Sequence, residues 1–291
     1  MRRLAGALAS LLFLLSACGP SRGGPGPTPS APAASTGLPS PGTAVPSNPA
    51  VLAPSLARTD LHLGAALKRW AATGAPSPPP ADVALLALYQ QRIYGTLSAN
   101  RSLARAVIAL LPPELAGAAT ANVGADRALA SLSGSPPATA PRLRTEDPLP
   151  ASELLGDFRQ AQRRFGVAWQ VLAAINLIES RFGRVVSSSS AGAQGPMQFL
   201  PATWRAYGMG GNVRVPHDAI MGAANYLRAS GAPSSYRRAV FAYNPSTSYV
   251  DAVLAYAGQM RRDPLAFYDY YNWQVFQPTA SGDEQLTGPG T

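Results

Sequence analysis

Apolar residues recur at three-to-four spacing through most of the chain after residue 58, and that recurrence constrains the fold more than any other feature. In "ADVALLALYQQRIYGTLSAN" the residues Val83, Leu86, Tyr89 or Gln90, Ile93 and Leu97 share one helical face. "RSLARAVIALLPPEL" continues with Leu103, Val107 and Leu110 until Pro112 stops it. A shorter helix is expected from Asp60, as N-cap, to Ala72. No alternation of strands with helices points to a parallel sheet. The expected class is mainly α: a helical domain with a short loop or hairpin inside it, preceded by a small all-helical accessory region.

The ends of the chain are of a different kind. Residues 1–17, "MRRLAGALASLLFLLSA", have two arginines and an apolar run too short to span a bilayer, which is the pattern of a secretory signal. The next residue, Cys18, is the only cysteine, so neither a disulfide framework nor a thiolate metal site is available. Residues 18–57 are mostly Pro, Gly, Ser, Ala and Thr and read as a disordered stalk. Residues 58–135 form the helical accessory region, 136–150 a Pro-rich linker, 151–277 the second helical domain, and 278–291 a disordered tail.

The formal charge is +9. An exported protein with this balance fits an anionic wall polymer or lipid surface better than nucleic acid. With only His62 and His217 and no ligand spacing, neither a metal nor another cofactor is expected.

Chemistry concentrates in the second domain. "VAWQVLAAINLIESRFG" reads as a helix closed by Gly183, with Trp169, Leu172, Ala173, Asn176 and Glu179 or Ser180 at helical spacing. A carboxyl among Ile175, Leu177, Ile178 and Phe182 loses hydration in its charged form, which raises its pKa and suits it to donate a proton. Spacing alone leaves open the alternative of an exposed helix-end carboxylate paired with Arg181 or Arg184. After Gly183 the segment "RVVSSSSAGAQGPMQF" cannot easily continue a helix. Gly192, Gly195 and Pro196 there let backbone approach a ligand, and Gln198 offers a donor and an acceptor. Tyr243 closes a later helix before Asn244 and Pro245.

In their order and separations, "IES", "GAQGPMQFLPATW", "DAIMGAANYL" and "AYNPSTSYV" resemble the lytic transglycosylases, a branch of the lysozyme-like superfamily. The resemblance covers roughly residues 151–261. It implies Glu179 as the catalytic residue and Ser180, Gly195, Met197, Gln198, Phe199, Tyr243 and Asn244 as substrate-binding residues. Where many members read Gly-Leu-Met-Gln and Tyr-Asn-Ala-Gly, this chain reads Gly-Pro-Met-Gln and Tyr-Asn-Pro-Ser, closer to the membrane-bound B-type branch. Leu15-Ser16-Ala17-Cys18 similarly resembles the lipobox of bacterial lipoproteins, which implies a lipid anchor on Cys18 in the cell envelope.

The implied substrate is the glycan strand of peptidoglycan, cut between N-acetylmuramic acid and N-acetylglucosamine with formation of a 1,6-anhydro ring by one glutamate acting alone. A monomer is expected. A lysozyme-like hydrolase and a non-catalytic wall-binding lipoprotein are the rival readings. The spare acids Asp218 and Asp251 read as a helix N-cap and a surface group.

Overall fold

Asparagine and proline set the first helix boundaries. The Asn48 side chain accepts a hydrogen bond from the Ala50 N–H at 2.9 Å, Pro49 occupies the first turn, and α1 runs Pro49–Ala72. The structure, a computed structural model, describes residues 37–132, 142–279 and 282–291. It therefore corrects the expected stalk, whose last residues 49–57 are helical. Leu52, Ala53 and Leu56 extend the buried stripe of Leu63, Leu67 and Trp70, an extension that the surrounding Ala and Pro conceal. Ahead of α1 the chain lies against α2 (Ala81–Ala99), where Arg92 Nη1 donates to the carbonyls of Pro41 and Thr43 at 2.7 and 2.9 Å. Cys18 lies outside the described residues.

Asn100 ends α2 and caps α3 (Arg101–Ala109) by accepting from the Leu103 N–H at 3.0 Å. Because α3 has ended by Leu110, that residue is exposed and Leu111 turns inward instead. Pro113 then opens α4 (Pro113–Ala130). The remaining helices are α5 (Ala151–Phe165), α6 (Trp169–Ser180), α7 (Pro201–Tyr207), α8 (Pro216–Ala229), α9 (Tyr236–Tyr243), α10 (Thr247–Arg262) and α11 (Leu265–Tyr271). The chain is mainly helical, as its periodicity predicts.

Residues 58–135 were expected as a separate accessory region, yet the helices before and after the linker share one core. α4 packs along α10, where Tyr256 Oη donates to Asp126 Oδ1 at 2.6 Å. Tyr270 Oη donates to Asn122 Oδ1 at 2.7 Å. Gln91 closes a reciprocal pair with the Gln274 backbone, donating at 3.0 Å and accepting at 2.7 Å. The described part of the linker runs beside the loop after α6, with Glu146 N–H to Arg184 O at 2.9 Å and Val186 N–H to Arg144 O at 3.0 Å.

Two elements escaped sequence reading. α11 supplies Phe267, whose ring lies 5.5 to 6.2 Å from those of Phe182, Trp169 and Phe158, mostly edge to face. The expected tail is corrected by a hairpin in which β1 (Phe276–Thr279) pairs antiparallel with β2 (Gly282–Gln285). Gln285 holds the end beyond it by donating to the carbonyls of Thr287 and Pro289 at 2.9 and 3.0 Å. Polar side chains rather than apolar burial order this end, so hydrophobic patterning misses it.

Phe267→Ala removes the ring that the aromatic cluster is built around. It should cost about 3–5 kcal/mol of stability, read as a lowered midpoint in urea denaturation.

Candidate active site

α6 is buried nearly all round, packed by α5, α8, α10 and α11. A helix apolar on every side suits such a position, and the polar groups near its end require specific partners. The helix stops at Ser180, earlier than the Gly183 expected from the sequence. Arg181 and Phe182 both adopt the left-handed conformation, with φ of 53° and 61°, and Gly183 follows at 88°. Two non-glycine residues there cost roughly 1–2 kcal/mol each. Hydrogen bonds offset that strain: Phe182 N–H donates to Asn176 O at 3.2 Å, Gly183 N–H to Ser180 Oγ at 2.8 Å and Val185 N–H to Ser180 O at 3.0 Å.

Ser180 therefore differs from the substrate-binding role the resemblance implies. Its hydroxyl is fully buried, donates to Pro196 O at 2.6 Å and accepts from Gly183. Asn176 Nδ2 donates to the same Pro196 carbonyl at 2.7 Å. The two side chains clip the glycine-rich loop to α6 from within.

The loop is equally constrained beyond the clip. At Gly195, with φ of 72°, a Cβ would lie 1.8 Å from Val213 O, so only glycine fits. Gln198, at φ 48°, donates from Nε2 to Gly195 O at 2.9 Å, while its buried Oε1 has no partner. Phe199 exchanges two backbone hydrogen bonds with Gln194, both 2.9 Å, and its ring meets Trp204 and Tyr243 at 5.1 and 5.8 Å. Met197 is wholly buried, and its carbonyl accepts from Tyr243 Oη at 2.6 Å. Tyr243 thus fixes the loop with its hydroxyl and presents only its ring elsewhere. Asn244 is buried where α9 ends.

Glu179 is 1% exposed. Its Oε1 accepts from Tyr249 Oη at 2.6 Å, and its Oε2 has no hydrogen-bond partner. Burial pushes its pKa up to about 8, against the opposing pull of the Tyr249 hydrogen bond. Burial, with the Glu179 charge next in weight, likewise raises both Tyr243 and Tyr249 well above the ordinary tyrosine value.

The ion-pair alternative fails. Arg181 lies over the Trp273 ring at 6.0 Å and Arg184 over the Tyr271 ring at 4.9 Å, and neither pairs with Glu179. Among the described residues no second carboxylate acts on Glu179 either. Asp218 accepts from Asn212 N–H at 2.8 Å in the loop before α8, and Asp251 pairs with Arg237 at 2.9 Å on the surface. Among the described residues no group of three or more His, Cys, Asp or Glu side chains could hold a metal ion.

Sequence reading missed the partner, Tyr249. Tyr249 stands on α10, and nothing in the spacing of that helix says that its face meets the end of α6. The arrangement yields a neutral acid held by one oxygen, with the other oxygen uncommitted.

Residues 157–265 match the family model described as Transglycosylase SLT domain. Comparison with curated proteins and with solved structures gave no match.

A carboxyl with a raised folded-state pKa disfavours folding once the unfolded chain ionises. The penalty starts near the ordinary value of 4.5, grows as pH rises and levels off above about 8. Glu179→Gln should therefore gain stability relative to the parent as pH rises from 4 to 8. Urea midpoints compared at both ends of that range check the sign, and an equal difference at both would contradict a buried neutral acid.

Proposed function

We propose that the protein is a peptidoglycan lytic transglycosylase in which Glu179 acts first as acid and then as base. The observation that carries this reading is a buried carboxyl with one oxygen held by Tyr249, the other without a partner, and, among the described residues, no other acid acting on it. The match of residues 157–265 to a transglycosylase domain supports it independently.

Glycosidases that use water or a covalent nucleophile place two carboxyl groups roughly 5 to 9.5 Å apart. With a single carboxyl, proton transfer must run out and back through the same group. Because Tyr249 donates to Oε1, the proton of the neutral acid belongs on Oε2. From there it passes to the oxygen linking N-acetylmuramic acid to N-acetylglucosamine as the bond to the muramyl C1 breaks. The sugar's own acetamide stabilises the cationic centre. The carboxylate left behind keeps the Tyr249 hydrogen bond and takes the proton of the muramyl O6 hydroxyl as O6 bonds to C1. Water neither enters nor leaves.

The surrounding residues serve this sequence in different ways. Gln198 Oε1, buried and without a partner, suits a sugar hydroxyl or amide, and Gly195 brings backbone close. Met197, Phe199, Tyr243 and Asn244 shape the wall beside them. Glu179 is covered, so a sugar reaches Oε2 only when its neighbours part. The same cover excludes bulk water and favours closure by the substrate's own hydroxyl.

Digestion of purified peptidoglycan should yield muramyl ends one water lighter than hydrolysis products. Products carrying the full water would instead indicate a lysozyme-like hydrolase. Glu179→Gln should lower turnover by at least about 100-fold while retaining wall binding. An unchanged rate would remove Glu179 from the reaction, and no turnover by the parent would leave a wall-binding protein.

The envelope location belongs to the same proposal, with the mature protein tethered through diacylated Cys18. Among the described residues no helix is long and apolar enough to cross a membrane. Cys18→Ser should move the protein from the membrane fraction to the soluble fraction of lysed cells, and retention on membranes would exclude the anchor.

A further inference from the structure

A cavity of about 520 Å³ opens between the N-terminal helices and the end of α10 with α11. Tyr249 marks the Glu179 end of α10, and Arg262 at this cavity lies thirteen residues further on. At 1.5 Å per residue that is roughly 20 Å along the helix. The cavity is therefore separate from the carboxyl site.

We infer that this cavity binds a primary ammonium carried on an aliphatic stem, the chemistry of a lysine-type side chain. Four carboxyl groups line it: Asp60, Glu114, Asp263 and Asp269. Among the described residues none of the four forms an ion pair. Among the described residues Arg262 is the one cation in the lining, and its guanidinium is engaged by Gln259 Oε1.

A buried amide adds an independent observation. Gln90, 2% exposed, lines the cavity and donates from Nε2 to Asp60 Oδ1 at 3.2 Å, while its Oε1 has no partner. A buried acceptor without a donor is costly, and here it stands among carboxyl groups that also accept. Gln90 Oε1 still lacks a donor, which an ammonium group with three N–H bonds would supply.

Asp269 and Asp60 respond as expected for buried acids without a countercharge. Burial, then the Asp60 charge, pushes Asp269 up to about 8, and burial, with Asp263 adding, raises Asp60. The four do not converge as metal ligands would, which favours an organic cation. Leu63, Leu67 and Leu115 give the stem an apolar wall.

The inference does not depend on the reaction at Glu179, and its test is binding to the purified full chain. Nα-acetyl-lysine methylamide should bind saturably with Kd below about 1 mM, whereas the norleucine analogue, with a methyl group in place of the aminomethyl end, should bind at least about tenfold more weakly. Asp60→Asn should weaken the lysine probe by a similar factor. Ala118→Leu, which fills the cavity without changing its charge, should abolish binding. Glu179→Gln should leave the lysine probe's Kd unchanged. Tighter binding of the lysine probe than of cadaverine would assign the ligand to a peptide, and the reverse order to a free diamine. Equal binding of the norleucine analogue, absence of saturation, or loss of binding in Glu179→Gln would overturn the assignment.

Discussion

The hydrogen bond from Tyr249 to Glu179 is where opposing demands on this structure meet. Loss of water favours the neutral acid, whereas a donor to the carboxyl favours the charged one. With a single donor, burial prevails and Glu179 stays protonated to about pH 8. Had both oxygens been bonded, the proton would be harder to keep and no oxygen would be left for a substrate. Had neither been bonded, the side chain would lack a fixed orientation. One donor satisfies both requirements, and it comes from α10 rather than from the helix that carries the glutamate.

That origin gives the N-terminal helices a structural part in the site. α10 must stay in register with α6 for Tyr249 to reach Glu179, and α4 packs along α10. Tyr256, two turns after Tyr249, donates to Asp126 on α4. Asp126 is itself raised to about 7 by burial, with the Tyr256 hydrogen bond and the Arg181 charge pulling the other way. A buried hydrogen-bonded pair fixes helix register more sharply than apolar packing, because a slip strands both partners. The region before the linker thus belongs to the support of α10 rather than to a detachable module.

The legibility of the sequence follows from the kind of force at each point. Where apolar burial decides, the pattern was readable: α2, α3 and α6 lie close to where periodicity puts them, and the burial of Glu179 follows from its neighbours on α6. Where a single polar contact decides, it was not. Asn48 starts α1 inside what composition marked as stalk, and Gln285 orders an end that carries little apolar surface. The resemblance assigns Ser180 to substrate binding, yet its hydroxyl, like the Asn176 amide, donates to the Pro196 carbonyl. Which of several tyrosines on α10 meets Glu179 depends on the packing of two distant helices, and spacing within one helix carries no such information.

The buried charges give the core a common bias. Glu179, Asp126 and Asp269 are all raised chiefly by burial, to about 8, 7 and 8. Each disfavours folding as pH climbs from the ordinary carboxyl range toward its own folded value. Arg184 is lowered by burial to about 10, so its cost is already constant across that span. Taken alone, these groups make the core most stable below the ordinary carboxyl range and progressively less so up to about pH 8. The neutral carboxyl at the candidate site thus sits in a core that holds other neutral carboxyls, and the environment that keeps Glu179 protonated is a property of the whole α4–α10–α6 packing.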